Sequence, residues 1–373
     1  MLSAIMRISR LVSFGISAAL LVLVGAALAS GGDGAAKDPF AAEIARWKAV
    51  LNSHPDTDPM WAQMKEGSQP LLDNVEEALQ NGRRLLALQR FALVQANLGA
   101  AVYVSERPAE QHKDMTAFDA EWKRMGGVLH DDLGTPSATT FAGLPALVRG
   151  LAETSLPQVR TYYQASLDYA HSTAPDPGLF YLGNAQAQRD LVSFYRTLAA
   201  PSSKPAPSLR SIRPEIDALQ TEMLAAYRPP LSIDNHDEFI TASSLLKEAR
   251  ELDAAGLRFG ALLRYLQAAR LFALMHPAAP ALTADALSQR LGELATRLNA
   301  SNVDNSLGQL FLESAQADVA KTTPGSASVT ASVMANDVLP RYFAALAPAP
   351  AQPKVAAVKG PQVTVTLVRW PYT

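Results

Sequence analysis

Between residues 38 and 347, apolar side chains recur at three- and four-residue intervals, the period of helices that bury one face. Asp38-Pro39 and Asp58-Pro59 open two such stretches, each with Asp as N-cap and Pro at the first helical position. Phe40, Ile44, Trp47 and Leu51 line one face of the first, and Gly67 is expected to close the short second. A further helix is expected over 108–125, stopped by Gly126-Gly127. Residues 141–153 and 157–170 read as two helices, 171–178 (HSTAPDPG) as a turn cluster, and 179–198 as the next helix. Beyond a Pro-rich stretch at 201–207, helices are expected over 214–227, 283–298, 305–320 and 329–346. Asp234 or Asp237 is expected to cap the helix that leads into residues 245–270. The period changes to two at 362–369, where Val363, Val365 and Leu367 alternate with Thr364 and Thr366, a strand pattern.

Two of these stretches repeat one another. Residues 71–96 (LLDNVEEALQNGRRLLALQRFALVQA) align without a gap with 245–270 (LLKEARELDAAGLRFGALLRYLQAAR). Leu71/Leu245, Leu72/Leu246, Glu77/Glu251, Gly82/Gly256, Arg84/Arg258, Ala87/Ala261, Leu88/Leu262 and Arg90/Arg264 are identical, and Phe91 faces Tyr265. Each copy predicts a helical hairpin: glycine ends the first helix because it adopts positive φ cheaply, and the second helix follows at once. A second echo pairs 180–187 (FYLGNAQA) with 310–317 (LFLESAQA), and Phe194–Ala199 resembles the stretch 342–347 before its own Pro-rich segment.

Gly256, Ala261, Tyr265 and Ala268, preceded by Leu245, Ala249 and Leu252, have the spacing of a tetratricopeptide repeat, which this hairpin resembles. The first copy keeps Gly82, Ala87 and Phe91 but has Val94 at the last small position, and the family's closing proline is displaced to Pro277 in the second. The resemblance covers only these two hairpins. It implies helical stacking and a binding rather than a catalytic role. His54-Pro55-Asp56 copies the tripeptide of J-domain cochaperones, but a turn followed by an N-cap accounts for it and the basic helix face of that family is missing.

Composition narrows the class of function. The chain has 373 residues, 48 % of them hydrophobic and 18 % charged, enough apolar material for a large core. A net charge of −2 leaves no basic stripe for phosphate backbones, so no nucleic-acid partner is expected. The absence of cysteine excludes disulfides, thiolate nucleophiles and thiolate zinc sites. Arg7 and Arg10, an uncharged run from Leu11 to Ala26, and Ala27-Leu28-Ala29 form a signal peptide with cleavage expected before Ser30. The expected location is periplasmic or secreted in a bacterium, with no membrane span after cleavage; the alternative is an inner-membrane anchor formed by residues 11–29.

Candidate chemistry is sparse. No G-x-S-x-G elbow, P-loop or dinucleotide fingerprint occurs. The densest His/carboxylate clusters are 130–132 (HDD) and 234–238 (DNHDE), for which helix capping is the simpler account than zinc or calcium. Tyr162, Tyr163, Tyr169 and Tyr181 belong to an aromatic-rich stretch whose polar tips suit a wet groove, or else a core between two helices. Arg83 and Arg90 on the first copy, and Arg258 and Arg264 on the second, interrupt otherwise apolar helices. They are expected either to pair with Glu77 and Glu251 or to hold an anionic ligand.

The chain therefore reads as all-α, with stacked helical hairpins in two related halves and one short β-strand-like segment at its C-terminal end. The expected boundaries are a signal peptide at 1–29, a flexible linker at 30–37, helical modules at 38–200 and 214–347 joined by a Pro-rich linker at 201–213, and a Pro-rich, strand-like tail at 348–373. The role this implies is a non-enzymatic binding or scaffolding protein whose partner is another protein or peptide of the cell envelope. No catalytic residue, metal or cofactor is expected. The competing expectation is a periplasmic helical hydrolase or metal-dependent enzyme, which needs His130 or His236 to converge with other ligands in a cleft.

Overall fold

Asp38 and Asp58 cap the first two helices as their sequence signals require: Asp38 accepts from the Phe40 amide at 3.0 Å and Asp58 from the Met60 amide at 2.9 Å. The computed structural model describes residues 38–134, 136–198, 204–228, 235–277, 280–323, 326 and 328–347. The signal segment, the linker at 30–37 and the strand-like stretch 362–369 lie outside the described residues, as does Asp234. The fold is all-α, with no strand among the described residues.

Six helices make up the first part: α1 (Pro39–Ser53), α2 (Pro59–Gln80), α3 (Arg84–Ser105), α4 (Met115–Val128), α5 (Ala146–Ser172) and α6 (Pro175–Leu198). Then follow α7 (Arg213–Ala226), α8 (His236–Ala254), α9 (Arg258–Met275), α10 (Ala284–Ala300) and α11 (Ser306–Lys321). The last helix is broken into α12 (Val329–Val333), a π-helical turn at Met334–Val338, and α13 (Leu339–Leu346). Pro340 supplies the cause of the break, since it lacks the amide that a regular helix would donate to the carbonyl of Asn336.

Several expectations need correction. Helix α2 is not closed at Gly67 but runs through Gly67 and Pro70, and α5 runs through Pro157 as one helix. In both, buried residues on either side of the proline keep one face on its neighbours, and that packing outweighs the single lost hydrogen bond. Helix α4 starts only at Met115, because Asp114 accepts from the Thr116 amide at 2.9 Å and sets the start there. Gly126 does not stop α4: a Cβ on it would lie 2.4 Å from the Tyr163 hydroxyl, so its smallness lets α5 approach. The helix α8 begins after Asn235, which makes no side-chain cap, and Asp237 sits in its first turn.

Both repeated stretches are helix–turn–helix with the turn at the glycine. Gly82 has φ 72° and Gly256 has φ 78°. The Arg83 amide donates to Ala78 O at 2.8 Å, and the Leu257 amide at the matching position donates to Leu252 O at 2.9 Å. Ala87, Ala261, Phe91 and Tyr265 are all buried.

The hairpins α2–α3 and α8–α9 flank a central pair. Helix α3 packs on α6, α6 on α5, and α5 on α9. The α3–α6 crossing is close because Gly99 meets Ala187 and Gly183 meets Ala100. The order of packing also repeats: α1 on α2, α2 on α3 and α4 on α5 are matched by α7 on α8, α8 on α9 and α10 on α11. The partners α5–α6 and α3–α6 are matched by α11 and α9 on the broken last helix. The echo between 180–187 and 310–317 stands outside this order, since it pairs α6 with α11. The segments on either side of residues 201–213 share one continuous apolar core.

Candidate binding site

The second helix of each hairpin is capped from the opposite part of the chain. Glu153 on α5, fully buried, accepts from the Gly260 amide in the first turn of α9 at 2.8 Å. Glu313 on α11 accepts from the Leu86 amide in the first turn of α3 at 2.9 Å. Leu86 and Gly260 are matching positions of the repeated stretches. A carboxylate there satisfies orphan amides and meets the positive end of the helix. Gly150 and Gly260 make the first cap possible: a Cβ on Gly150 would come 3.2 Å from Phe259 O, and one on Gly260 2.9 Å from the Glu153 Cβ. Burial pushes both carboxyls above the ordinary range, against the backbone donors and neighbouring arginines that favour the ionised form.

This crosswise capping sets α3 and α9 against α11 and α5, and so positions the arginines. On α9, Arg264 pairs with Glu248 at 2.8 Å and Arg258 pairs with Asp253. On α3, Arg90 donates to the backbone carbonyl of Asn74 at 3.0 Å, because Asn74 occupies the position that Glu248 holds in the second hairpin. The expected pairings with Glu77 and Glu251 do not form: Glu77 pairs with Lys321 at 3.4 Å, and Glu251 is exposed. Around Arg90 lie Arg83, Arg270 of α9, Glu77 and Asp318 of α11, and burial lowers the Arg90 pKa. Arg270 is lowered likewise by burial, opposed only by Asp318. Burial raises Asp318, against Arg270, Arg90 and Lys321. Arg83 also lies beside Glu313.

The four tyrosines divide. Tyr163 is buried between α4 and α5, stacked on Trp122 at 4.6 Å, and its hydroxyl donates to Trp122 O at 3.1 Å. Tyr162, Tyr169 and Tyr181 gather: the rings of Tyr169 and Tyr181 stack at 4.3 Å, and that of Tyr162 is tilted against Tyr181 at 5.9 Å. Burial raises the Tyr162 pKa, with Glu248 adding to the shift and Arg264 opposing it. Arg264 also faces the fully buried Tyr195, whose hydroxyl has no partner. The structure thus joins Arg264 to the tyrosine group and Arg90 to a separate cluster with Arg270 and Asp318.

Sequence reading missed Glu153, Glu313 and Asp318. The available signal was an acid on an otherwise apolar helical face, seven positions after the helix start for both Glu153 and Glu313. His130 and His236 are exposed, and His236 contacts the Tyr227 hydroxyl at 2.6 Å through Nδ1. Among the described residues no three His, Cys, Asp or Glu side chains group to hold a metal. Helix α3 is the one described helix long and apolar enough to cross a membrane, and more than half of its apolar stretch is buried inside the protein. No family model, curated protein or solved structure matches the chain.

Proposed function

We propose that this chain is a non-enzymatic binding or scaffolding protein of the bacterial cell envelope, delivered by the leader at residues 1–29 and built from two related sets of helices. The observation that carries this reading is the charged junction between the hairpins. Arg90 and Arg270 come from different hairpins, neither makes an ion pair, and Leu93, one turn from Arg90, is 56 % exposed. A rigid helical frame that holds guanidinium groups near carboxylates without closing them into ion pairs is suited to recognising an anionic group. The two hairpins with their tetratricopeptide-like spacing support the same role by analogy. The partner class we favour is a protein or peptide of the envelope.

Export and partner capture test it together. The protein tagged at its C-terminal end, recovered from the envelope fraction after mild cross-linking, should begin at Ser30 and carry a saturable partner that a charge-matched helical control does not. Recovery with an intact N-terminus in the membrane fraction would show residues 11–29 acting as an anchor. Recovery without any partner above control sinks the scaffolding reading.

A further inference from the structure

A buried guanidinium is costly to leave unpaired, and proteins rarely do so. Arg270 is half-buried overall, with its Nε at such a position. Its Nε is buried without a partner, and among the described residues its side chain makes no hydrogen bond or ion pair. Asp318 faces it across the junction, and its Oδ2 is likewise buried without a partner. Arg90 has only the carbonyl of Asn74. The second hairpin gives a comparison: there Arg264, at the position matching Arg90, forms an ion pair with Glu248 at 2.8 Å, although its Nε, like that of Arg270, has no aligned hydrogen-bond acceptor. With Asn74 in place of that glutamate, the first hairpin leaves its arginine open. One cluster thus contains an ion pair, whereas in its counterpart, with Arg83 and the Lys321–Glu77 pair nearby, Arg270 Nε and Asp318 Oδ2 are buried without hydrogen bonds and Arg90 meets only a backbone carbonyl.

We infer that Arg90, Arg270 and Asp318 form a binding site for a small oxyanion that carries its own hydrogen-bond donor, a protonated phosphate group being the simplest kind. This rests on reading the chain as a binding module and names the ligand chemistry of that same junction. Two guanidinium groups supply planar, charge-assisted donors to oxyanion oxygens. The Asp318 carboxylate can only accept while ionised, so it takes a P–OH hydrogen and repels an oxyanion that has none. Phosphate near neutral pH keeps at least one hydroxyl, whereas sulfate is fully deprotonated. Leu93 on the same face of α3 is exposed, which gives the cluster an open side.

Isothermal titration of the purified full chain with inorganic phosphate and with sulfate, at matched ionic strength and neutral pH, tests the site. Phosphate should give a one-site isotherm, roughly tenfold or more tighter than sulfate, as expected for one hydrogen bond to a charged acceptor. Asp318→Asn should narrow that gap by improving sulfate binding. Arg270→Gln and Arg90→Gln should each abolish phosphate binding, and Arg290→Gln on the exposed face of α10 should not. Because Arg270 makes no hydrogen bond or ion pair among the described residues and Asp318 keeps Arg90 and Lys321 beside it, Arg270→Gln should keep a Tm close to wild type, so loss of binding there is not loss of fold. Absence of a phosphate isotherm, equal affinity for sulfate, or binding that survives both arginine substitutions overturns the site. Failure of the titration while an envelope partner is still captured removes this site and leaves the binding-module reading standing. A phosphate isotherm lost in both variants, with no partner captured, supports the site and removes that reading.

Discussion

Two buried carboxylates carry much of the specificity at the level of single residues. Glu153 accepts from Arg149 Nε at 2.7 Å through one oxygen and from the Gly260 amide at 2.8 Å through the other. Glu153→Gln keeps the shape but only one acceptor, so its NH2 must face one of these donors. Leaving that donor unsatisfied should cost about 1–3 kcal/mol, read as a lower midpoint in urea without a change in slope. Glu121 shows the opposite electrostatics. Burial alone would raise its pKa, but Arg124, the Tyr103 hydroxyl and Arg107 outweigh burial and hold it at about 2. An unfolded glutamate titrates near 4.3, so between those values the unfolded chain binds more protons than the folded one. Stability therefore rises with pH across that window, and the contribution is lost as pH falls from about 4 towards 2. Glu121→Gln should flatten this acid limb in chemical melts taken at several pH values. An unchanged slope in the variant would show that the carboxylate is not ionised against its arginines.

At the scale of elements, the glycine turns make the sharpest claim. Gly82 and Gly256 have φ 72° and 78°, the left-handed region that an L side chain enters only at a cost. Space is not the constraint, since a Cβ on either would meet nothing within 4 Å. Gly82→Ala and Gly256→Ala should each cost about 1–2 kcal/mol and by similar amounts, because both turns share three backbone hydrogen bonds, from residues 81–83 to 77–79 and from 255–257 to 251–253. A loss at one site and none at the other, in parallel thermal melts, would break the equivalence of the hairpins. These turns were legible in the sequence because glycine chemistry is local, and so were the Asp38 and Asp58 caps. Helices α2 and α5 were misread at Gly67 and Pro157 because glycine and proline are local signals of a break, while the packing that carries each helix through comes from residues distant in sequence. The caps at Leu86 and Gly260 were hidden for the same reason. Their donors and acceptors are far apart along the chain, and a lone glutamate gives no periodic signal. The ligand side of the junction was half legible: Arg90 and Arg264 stood out as charges on apolar helices, but Glu248 and Asn74, which make one closed and the other open, acquire meaning only when the helices are placed.

At the scale of the whole molecule, the two sets of helices are not independent bodies. Helix α5 from the first set packs on α9 of the second, and α11 of the second packs on α3 of the first. Each of these crossings carries a buried carboxylate into the partner's helix start. A third link joins the starts of α5 and α11: Asp304 accepts from the Ala146 amide at 2.8 Å, and the Ser306 hydroxyl from the Leu147 amide at 2.9 Å. Cutting the chain within residues 201–203 tests what this arrangement implies. The fragment 38–200 would lose the acceptors for Leu86, Ala146 and Leu147, and would expose the face of α5 that meets α9. The fragment 204–347 would lose Glu153 from the start of α9. Each unsatisfied amide costs about 1–3 kcal/mol, and the exposed apolar face adds to that, against a whole-domain stability of about 5–15 kcal/mol. Neither fragment alone should melt cooperatively in circular dichroism, while equimolar mixing should restore a single transition and a complex of one copy of each. If either fragment unfolds alone with a midpoint close to that of the intact chain, the crosswise caps are incidental to stability, and the two sets are separate domains that happen to touch.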